Sequence, residues 1–395
     1  MIDWLDARRL AHETGLAVPR AAETLPLAEA AGRTLAGALH SLVPLPGCSS
    51  SAMDGWAVAG DAPWRLGTPI FAGDAPGSDA LLPGTARAIA TGGPVPPGTR
   101  GVLRSEHGTT RPGAEALLLE RNSRAQPGGP LAGENIRLRG EETGGDERVL
   151  AAGSILTPPR IALAAVTGHD LVGVTVAPAV DVLLLGSEIV GSGLPGPGEV
   201  RDAYSPQFPA LLGAMGLRLQ DLRRASDDLD ATVDAILAGD APLLISTGGT
   251  ARGPADHVRV ALDRLGATLV IDGVSMRPGH PIMLARLAGG RLMLCLPGNP
   301  LAAMLGLLSV GAALVDGLLG RPLPQLGHVP LAADVANLGS HTRLVAFRHG
   351  DDGAVPTAHQ GSGMLRGLAE ADGVAVIPPG GAIAPTPVRT LPLPW

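Results

Sequence analysis

PLLISTGGTARGPADHVRVALDRLGATLVIDGVSMRPGHPIMLARLAGGRLMLCLPGNPLAAML, residues 242–305, decides how this chain is read. Its apolar runs at 243–246, 268–271 and 292–296 are short enough to be buried strands of an α/β sheet. Glycine-rich turns follow the first and last, Thr247-Gly248-Gly249-Thr250 and Pro297-Gly298-Asn299-Pro300. In open α/β sheets, ligands bind beyond the carboxyl ends of the strands. Glycines there let backbone N–H groups approach an anion, and a following helix adds the positive end of its dipole. Asn299 suits an N-cap and Pro300 the first helical position. Between the two turns, Arg277-Pro278-Gly279-His280-Pro281 presents two side chains able to carry positive charge. Together these elements predict an anion-handling α/β site.

Working outward, 395 residues suffice for two to four domains with real cores. Only 17% of residues are charged and 45% are hydrophobic, which excludes a mainly disordered chain. The 56 glycines and 37 prolines predict β-rich parts beside the α/β unit. A net charge of -7 argues against general nucleic-acid binding. All 30 basic residues counted as Lys+Arg are arginine. The first residues carry Asp3 and Asp6 and no apolar core of a signal peptide. The longest apolar run, 301–315, is too short for a membrane span and reads as a buried helix. Cys48 and Cys295 are the only cysteines and show no metal or disulfide spacing. A cytoplasmic protein without membrane contact is expected.

Residues 3–40 read as largely helical, broken near Pro19 and restarting at Pro26. From 56 to 138, short runs at 87–91, 101–105 and 116–120 between Gly and Pro predict a small β domain. A strand at 180–185 begins the α/β unit, and a β-rich tail with four short runs begins beyond Pro322. Several motifs lie along this frame. Asp54 stands in Ser51-Ala52-Met53-Asp54-Gly55-Trp56-Ala57, where its plainest reading is a hairpin turn. Thr91-Gly92-Gly93-Pro94 follows, then Asn135-Ile136-Arg137, with Gly140-Glu141-Glu142 close behind. Gly186-Ser187-Glu188 ends the 180–185 strand, and an acid in that place is often functional. Asp227-Asp228 precedes a helix, where capping is one natural role. Asp256 follows the first glycine turn, and the tail holds Phe347-Arg348 and His359-Gln360-Gly361-Ser362.

These elements, in this order, resemble the MoeA-type molybdopterin molybdenumtransferases, relatives of the gephyrin E domain. That family carries SAMDGYA, TGAPVP, N-I-R-x-x-G-E-D, T-G-D-E-L, V-x-D-D, TGG, K-P-G-K-P, PGNP, F-x-R and H-x-G-S-x-M-L. The resemblance implies a linking domain at 1–45 and 147–175, an inserted β domain at 46–146, an α/β doubly wound molybdopterin-binding domain at 176–322, and a C-terminal β-barrel at 323–395. It implies insertion of molybdate into adenylylated molybdopterin with release of AMP, assisted by Mg²⁺. Glu188, Asp228 and Asp256 would hold metal or position water, the metal falling to Glu188 and Asp228. Asp54 would act with them catalytically, and Thr91, Arg137 and Glu142 would bind substrate. Thr247, Gly248, Gly249, Thr250, Pro297, Gly298, Asn299 and Pro300 would cradle nucleotide and pterin phosphate. Arg277, His280, Pro281, Arg348 and Ser362 would hold molybdate. A homodimer is implied, the β domain of one subunit completing its partner's site, with transient contact with other cofactor-biosynthesis proteins. The chain departs from the family where Ser187 replaces Asp, Tyr204 replaces Asn, Glu142 replaces Asp, and Arg277 and His280 replace lysines. The changes at Ser187, Tyr204 and Glu142 keep a second reading open, a molybdopterin-binding carrier or scaffold with weakened catalysis.

Overall fold

The computed structural model describes residues 1–250 and 257–395. Its centre is a six-stranded sheet in the order Arg218–Ala225, Ala179–Leu185, Leu243–Thr247, Leu292–Leu296, Met283–Arg286 and Thr268–Asp272. The first four strands are parallel, Met283–Arg286 runs antiparallel to them, and Thr268–Asp272 pairs antiparallel with Met283–Arg286. Strand Leu243–Thr247 is buried throughout because helices cover both faces. Its side chains alternate accordingly. Leu243 and Ile245 face a core with Trp4, Phe208, Leu212 and Leu314, whereas Leu244 faces Val233, Ile236, Ala261 and Leu262. The 268–271 run is a strand too, but it lies on the sheet edge and only Ile271 within it is buried. An apolar run cannot declare whether a neighbour will cover both of its faces.

The amino-terminal helix Trp4–Leu16 is capped by Asp3, whose carboxylate accepts the Leu5 amide at 2.8 Å. It crosses the end of an unbroken helical run, Pro300–Leu319, whose middle turn is π-helical. That run is 20 residues long, longer than the 301–315 expected, and 89% of its most apolar window is buried in the fold. Glycines allow the crossing. A Cβ on Gly15 would stand 2.4 Å from the Leu314 carbonyl oxygen. Gly15→Ala therefore destabilises the protein by about 1–3 kcal/mol through overpacking, seen as a lower urea midpoint. An unchanged midpoint would show that the helices separate freely.

The expected helical restart at Pro26 does not form. Ala22–Pro26 is a strand paired antiparallel with Leu171–Thr175, followed by one 3-10 turn, Leu27–Glu29. Leu35 and Leu39 are buried against Leu156, Ala164, Val172 and Val174, so their near-helical spacing serves a separate small core. Tertiary pairing overrides the local pattern here. Residues 55–121 form a second six-stranded sheet in which Gly55–Ala59 is flanked by Gly101–Arg104 and Thr85–Ile89.

The tail folds into a seven-stranded curled sheet around Thr342–Gly350. A bridge between Leu331 and Ala354 brings its ends round. Two of the seven strands come from elsewhere in the chain, Ile2–Asp3 and Val274–Arg277. This junction matters, because it lays the 277–281 turn directly against the tail.

Candidate active site

The carboxyl ends of strands Ala179–Leu185, Leu243–Thr247 and Leu292–Leu296 open onto a cavity of about 1070 Å³. That volume is at the upper end for small-molecule sites. The two glycine turns form its floor. Gly248 donates its N–H to the Leu296 carbonyl at 3.1 Å and has φ +91°, while a Cβ there would lie 2.3 Å from the Leu185 oxygen. Glycine alone fits this position. The Thr247 hydroxyl is buried without a hydrogen-bond partner among the described residues. Asn299 holds the N-cap position and Pro300 the first turn, as the sequence predicts, but the Asn299 side chain makes no capping bond. It lines the cavity instead.

Acids enter from the strand ends. Glu188 and Asp227 line the cavity. Asp227 and Ser187 grip one another, Ser187 N–H donating to Asp227 at 2.8 Å and Asp227 N–H to the Ser187 hydroxyl at 3.1 Å. The neighbouring Asp228 does not face the cavity. Its carboxylate accepts the Ala231 amide at 2.9 Å and caps helix Leu229–Leu237. Asp202 is buried and fully engaged. Burial alone would raise its pKa, but the Ser205 hydroxyl and amide, Arg224 and the Tyr204 amide bring it down to about 2. The Tyr204 hydroxyl in turn donates to the Gly298 carbonyl at 2.8 Å, pinning the 297–300 turn. Burial, and next the Asp202 charge, push that phenol upward, so it remains a donor.

Cations come from Arg201 and from the junction with the tail. Arg277, His280 and Pro281 line the cavity beside Arg343, Gln360 and Ser362. Burial, then the charges of Arg277 and His341, hold His280 below the usual imidazole pKa. The Ser362 carbonyl accepts the Ala302 amide at 3.1 Å, docking this loop on the helix that follows the second glycine turn. Gln360 fixes the loop from the other side, donating to Ala346 and Thr357 carbonyls at 2.8 and 2.9 Å.

Residues 2–168 match the family model of the MoeA N-terminal region (domain I and II), 181–316 the probable molybdopterin binding domain, and 329–385 the MoeA C-terminal region (domain IV). The molybdopterin molybdenumtransferase 2 of Mycobacterium tuberculosis is 32% identical over 378 residues, covering 90% of each chain. The chain belongs to the MoeA family. A molybdopterin molybdenumtransferase of Synechococcus elongatus is 31% identical over 301 residues, 72% of each chain. The fold agrees with that of the molybdopterin biosynthesis MoeA protein of Pyrococcus horikoshii OT3, at 20% identity and a TM-score of 0.79 over 99% of this chain and 100% of that one.

Within this MoeA-family fold, the expected residues divide into three sets. The glycine turns, Glu188, Arg277, His280, Pro281 and Ser362 share the one cavity. Asp54, Thr91, Arg137 and Glu142 lie outside it, on and beside the 55–121 sheet. There Asp54 accepts the Thr91 amide at 2.7 Å and the Thr91 hydroxyl at 3.0 Å, bonds that hold its pKa below the usual carboxylate range. Arg137 pairs with Ser50 one strand away. Arg348 is a correction. It sits exposed opposite Val355 and does not line the cavity, which takes Arg343 and Leu344 from the start of the same strand. Asp256 lies outside the described residues. Sequence reasoning missed Asp227, Tyr204, Arg343 and Gln360. Only Asp227 carried a signal, since capping favours the residue immediately before the helix and leaves its neighbour free.

Proposed function

We infer that this chain is a molybdopterin molybdenumtransferase, joining molybdate to adenylylated molybdopterin and releasing AMP. One observation carries the reading: a single cavity gathers two glycine turns, the three carboxylates Glu188, Asp202 and Asp227, and a set of cationic side chains from separated segments. The glycine turns suit phosphate, through backbone donors and a helix N-terminus. Arg277, His280 and Ser362 suit a tetrahedral oxyanion. The two pterin sulfurs bind molybdenum as one molybdate oxygen leaves as water, releasing AMP adds water across the phosphoanhydride, and charge grows on the departing phosphate. Fixed donors stabilise such charge. The carrier reading is not favoured. Two of the departures that motivated it support cavity-lining groups, Ser187 by exchange of bonds with Asp227 and Tyr204 by its bond to Gly298.

Among the described residues, no group of three or more His, Cys, Asp or Glu is arranged to hold a metal. The donor set nevertheless suits Mg²⁺, which is usually bound through one or two carboxylates plus substrate phosphates. Glu188 and Asp227 would hold it, in place of the Glu188 and Asp228 pair expected from sequence. Bound there, it would neutralise phosphate charge.

The reading includes a cytoplasmic homodimer and the four-part division at 1–45 with 147–175, 46–146, 176–322 and 323–395. Asp54 and Thr91 form an exposed acid and hydroxyl pair outside their own chain's cavity, as a residue serving a partner's cavity would. Mixing inactive Asp54→Asn and Glu188→Gln dimers then restores roughly a quarter of wild-type AMP release after subunit exchange, since half the dimers carry one intact site. No recovery despite exchange would place each site within one chain.

His280 sets a pH dependence. Its depressed pKa leaves it neutral at pH 7.5, and protonation adds positive charge facing the oxyanion beside Arg277 and His341. Molybdate affinity therefore rises as pH falls from about 7.5 to about 6, and His280→Gln flattens the slope. Equal slopes by equilibrium dialysis would remove His280 from the site. The function itself is tested by stoichiometry. One AMP should appear for each molybdenum retained, and AMP without molybdenum uptake would contradict the assignment.

A further inference from the structure

Tyr204 is the one tyrosine in the chain, and it stands where the family motif has asparagine. Its side chain is buried yet lines the cavity. Asp202 sets its backbone, the carboxylate accepting the Tyr204 N–H at 2.8 Å and the Ser205 N–H at 3.0 Å. The Phe208 ring backs the phenol ring, 5.4 Å away between centroids. So held, the hydroxyl donates at 2.8 Å to the carbonyl of Gly298, 94 residues further along the chain. Asparagine lacks the length of a phenol ring and would not reach that carbonyl.

Fixing this carbonyl changes what the cavity floor offers an anion. A carbonyl oxygen facing phosphate repels it, whereas a backbone N–H attracts it. In a planar trans peptide, the C=O and the next residue's N–H point to opposite sides. Holding the Gly298 C=O on the phenol therefore also sets the direction of the Asn299 N–H. Among the described residues, neither the Gly298 N–H nor the Asn299 N–H has a partner. Gly298 also rests on the other glycine turn, since a Cβ on it would stand 3.4 Å from the Gly248 Cα. One phenol thus fixes both turns against each other.

We infer that Tyr204 is a positioning residue for phosphate: its bond to Gly298 keeps a carbonyl oxygen out of the way and leaves oriented N–H groups for the phosphate of the adenylyl group. This rests on the transferase reading and deepens it. The phenol acts through the turn, so its loss should be felt by ligands that carry phosphate and not by those without it.

The test is equilibrium dialysis of AMP and of adenosine against the full-length chain and its Tyr204→Phe and Phe208→Leu variants, with urea midpoints measured on each. Wild type should bind AMP more tightly than adenosine. Tyr204→Phe keeps the ring and removes only the hydroxyl; it should weaken AMP binding about five- to tenfold and leave adenosine within about twofold. Phe208→Leu should lower the midpoint through lost packing while keeping AMP affinity within about twofold, which separates positioning from stability. Unchanged AMP affinity in Tyr204→Phe would overturn the inference, as would equal losses of AMP and adenosine, or a wild type that does not prefer AMP. The two readings fail separately. Tyr204-dependent AMP binding without AMP release from adenylylated molybdopterin would sink the reaction and keep the positioning role. Molybdate-dependent AMP release, with AMP affinity indifferent to Tyr204→Phe, would do the reverse.

Discussion

Asp227→Asn lowers molybdate-dependent AMP release by about a hundredfold or more, whereas Asp228→Asn leaves it within about threefold. The contrast follows from two adjacent carboxylates with different duties. Asp227 lines the cavity, and asparagine there keeps an oxygen for the Ser187 amide while removing the charge. Asp228 caps its helix through the Ala231 amide, a duty that asparagine performs equally well. Both variants should therefore fold with wild-type urea midpoints. Initial rates under saturating substrate decide the matter. A dead Asp228→Asn beside a nearly normal Asp227→Asn would return the acid role to the residue favoured by the family motif.

Arg291→Ala costs about 3–5 kcal/mol of stability without touching the chemistry. Asp181 is wholly buried near the amino end of its strand and is held by Arg291 at 3.0 Å and Arg223 at 3.2 Å. One of its oxygens already lacks a partner among the described residues. Arg291 also donates to the carbonyls of Ala241 at 2.9 Å and Ile236 at 2.6 Å, tying helix Leu229–Leu237 to the sheet. Deleting it leaves a buried carboxylate half-neutralised and two carbonyls bare, and the same step opens a cavity. The site lies at the opposite ends of these strands, so activity per folded molecule should not change. A midpoint within error of wild type would mean that water replaces the guanidinium.

Much of this was legible in the residues. The runs at 243–246 and 292–296, with their glycine turns, announced strands that end at a ligand, because burial and close backbone approach leave little alternative. The cavity does hold Glu188, Arg277, His280 and Ser362. What the sequence hid was register and sharing. That Val274–Arg277 would leave its own sheet and pair with the tail depends on contacts 66 residues apart in sequence, as in Arg277 with Arg343. Motif reading chose Arg348 because it counts along one strand and cannot see which face meets the cavity. The misread helix after Pro26 has a similar origin, since Ala22–Pro26 finds its partner at Leu171–Thr175.

The most direct measurement is AMP release from adenylylated molybdopterin by the purified full-length protein, with and without molybdate and Mg²⁺. The transferase account predicts release that requires molybdate and disappears in Glu188→Gln. Tight binding of the adenylylated pterin with no release under any of these conditions would contradict it.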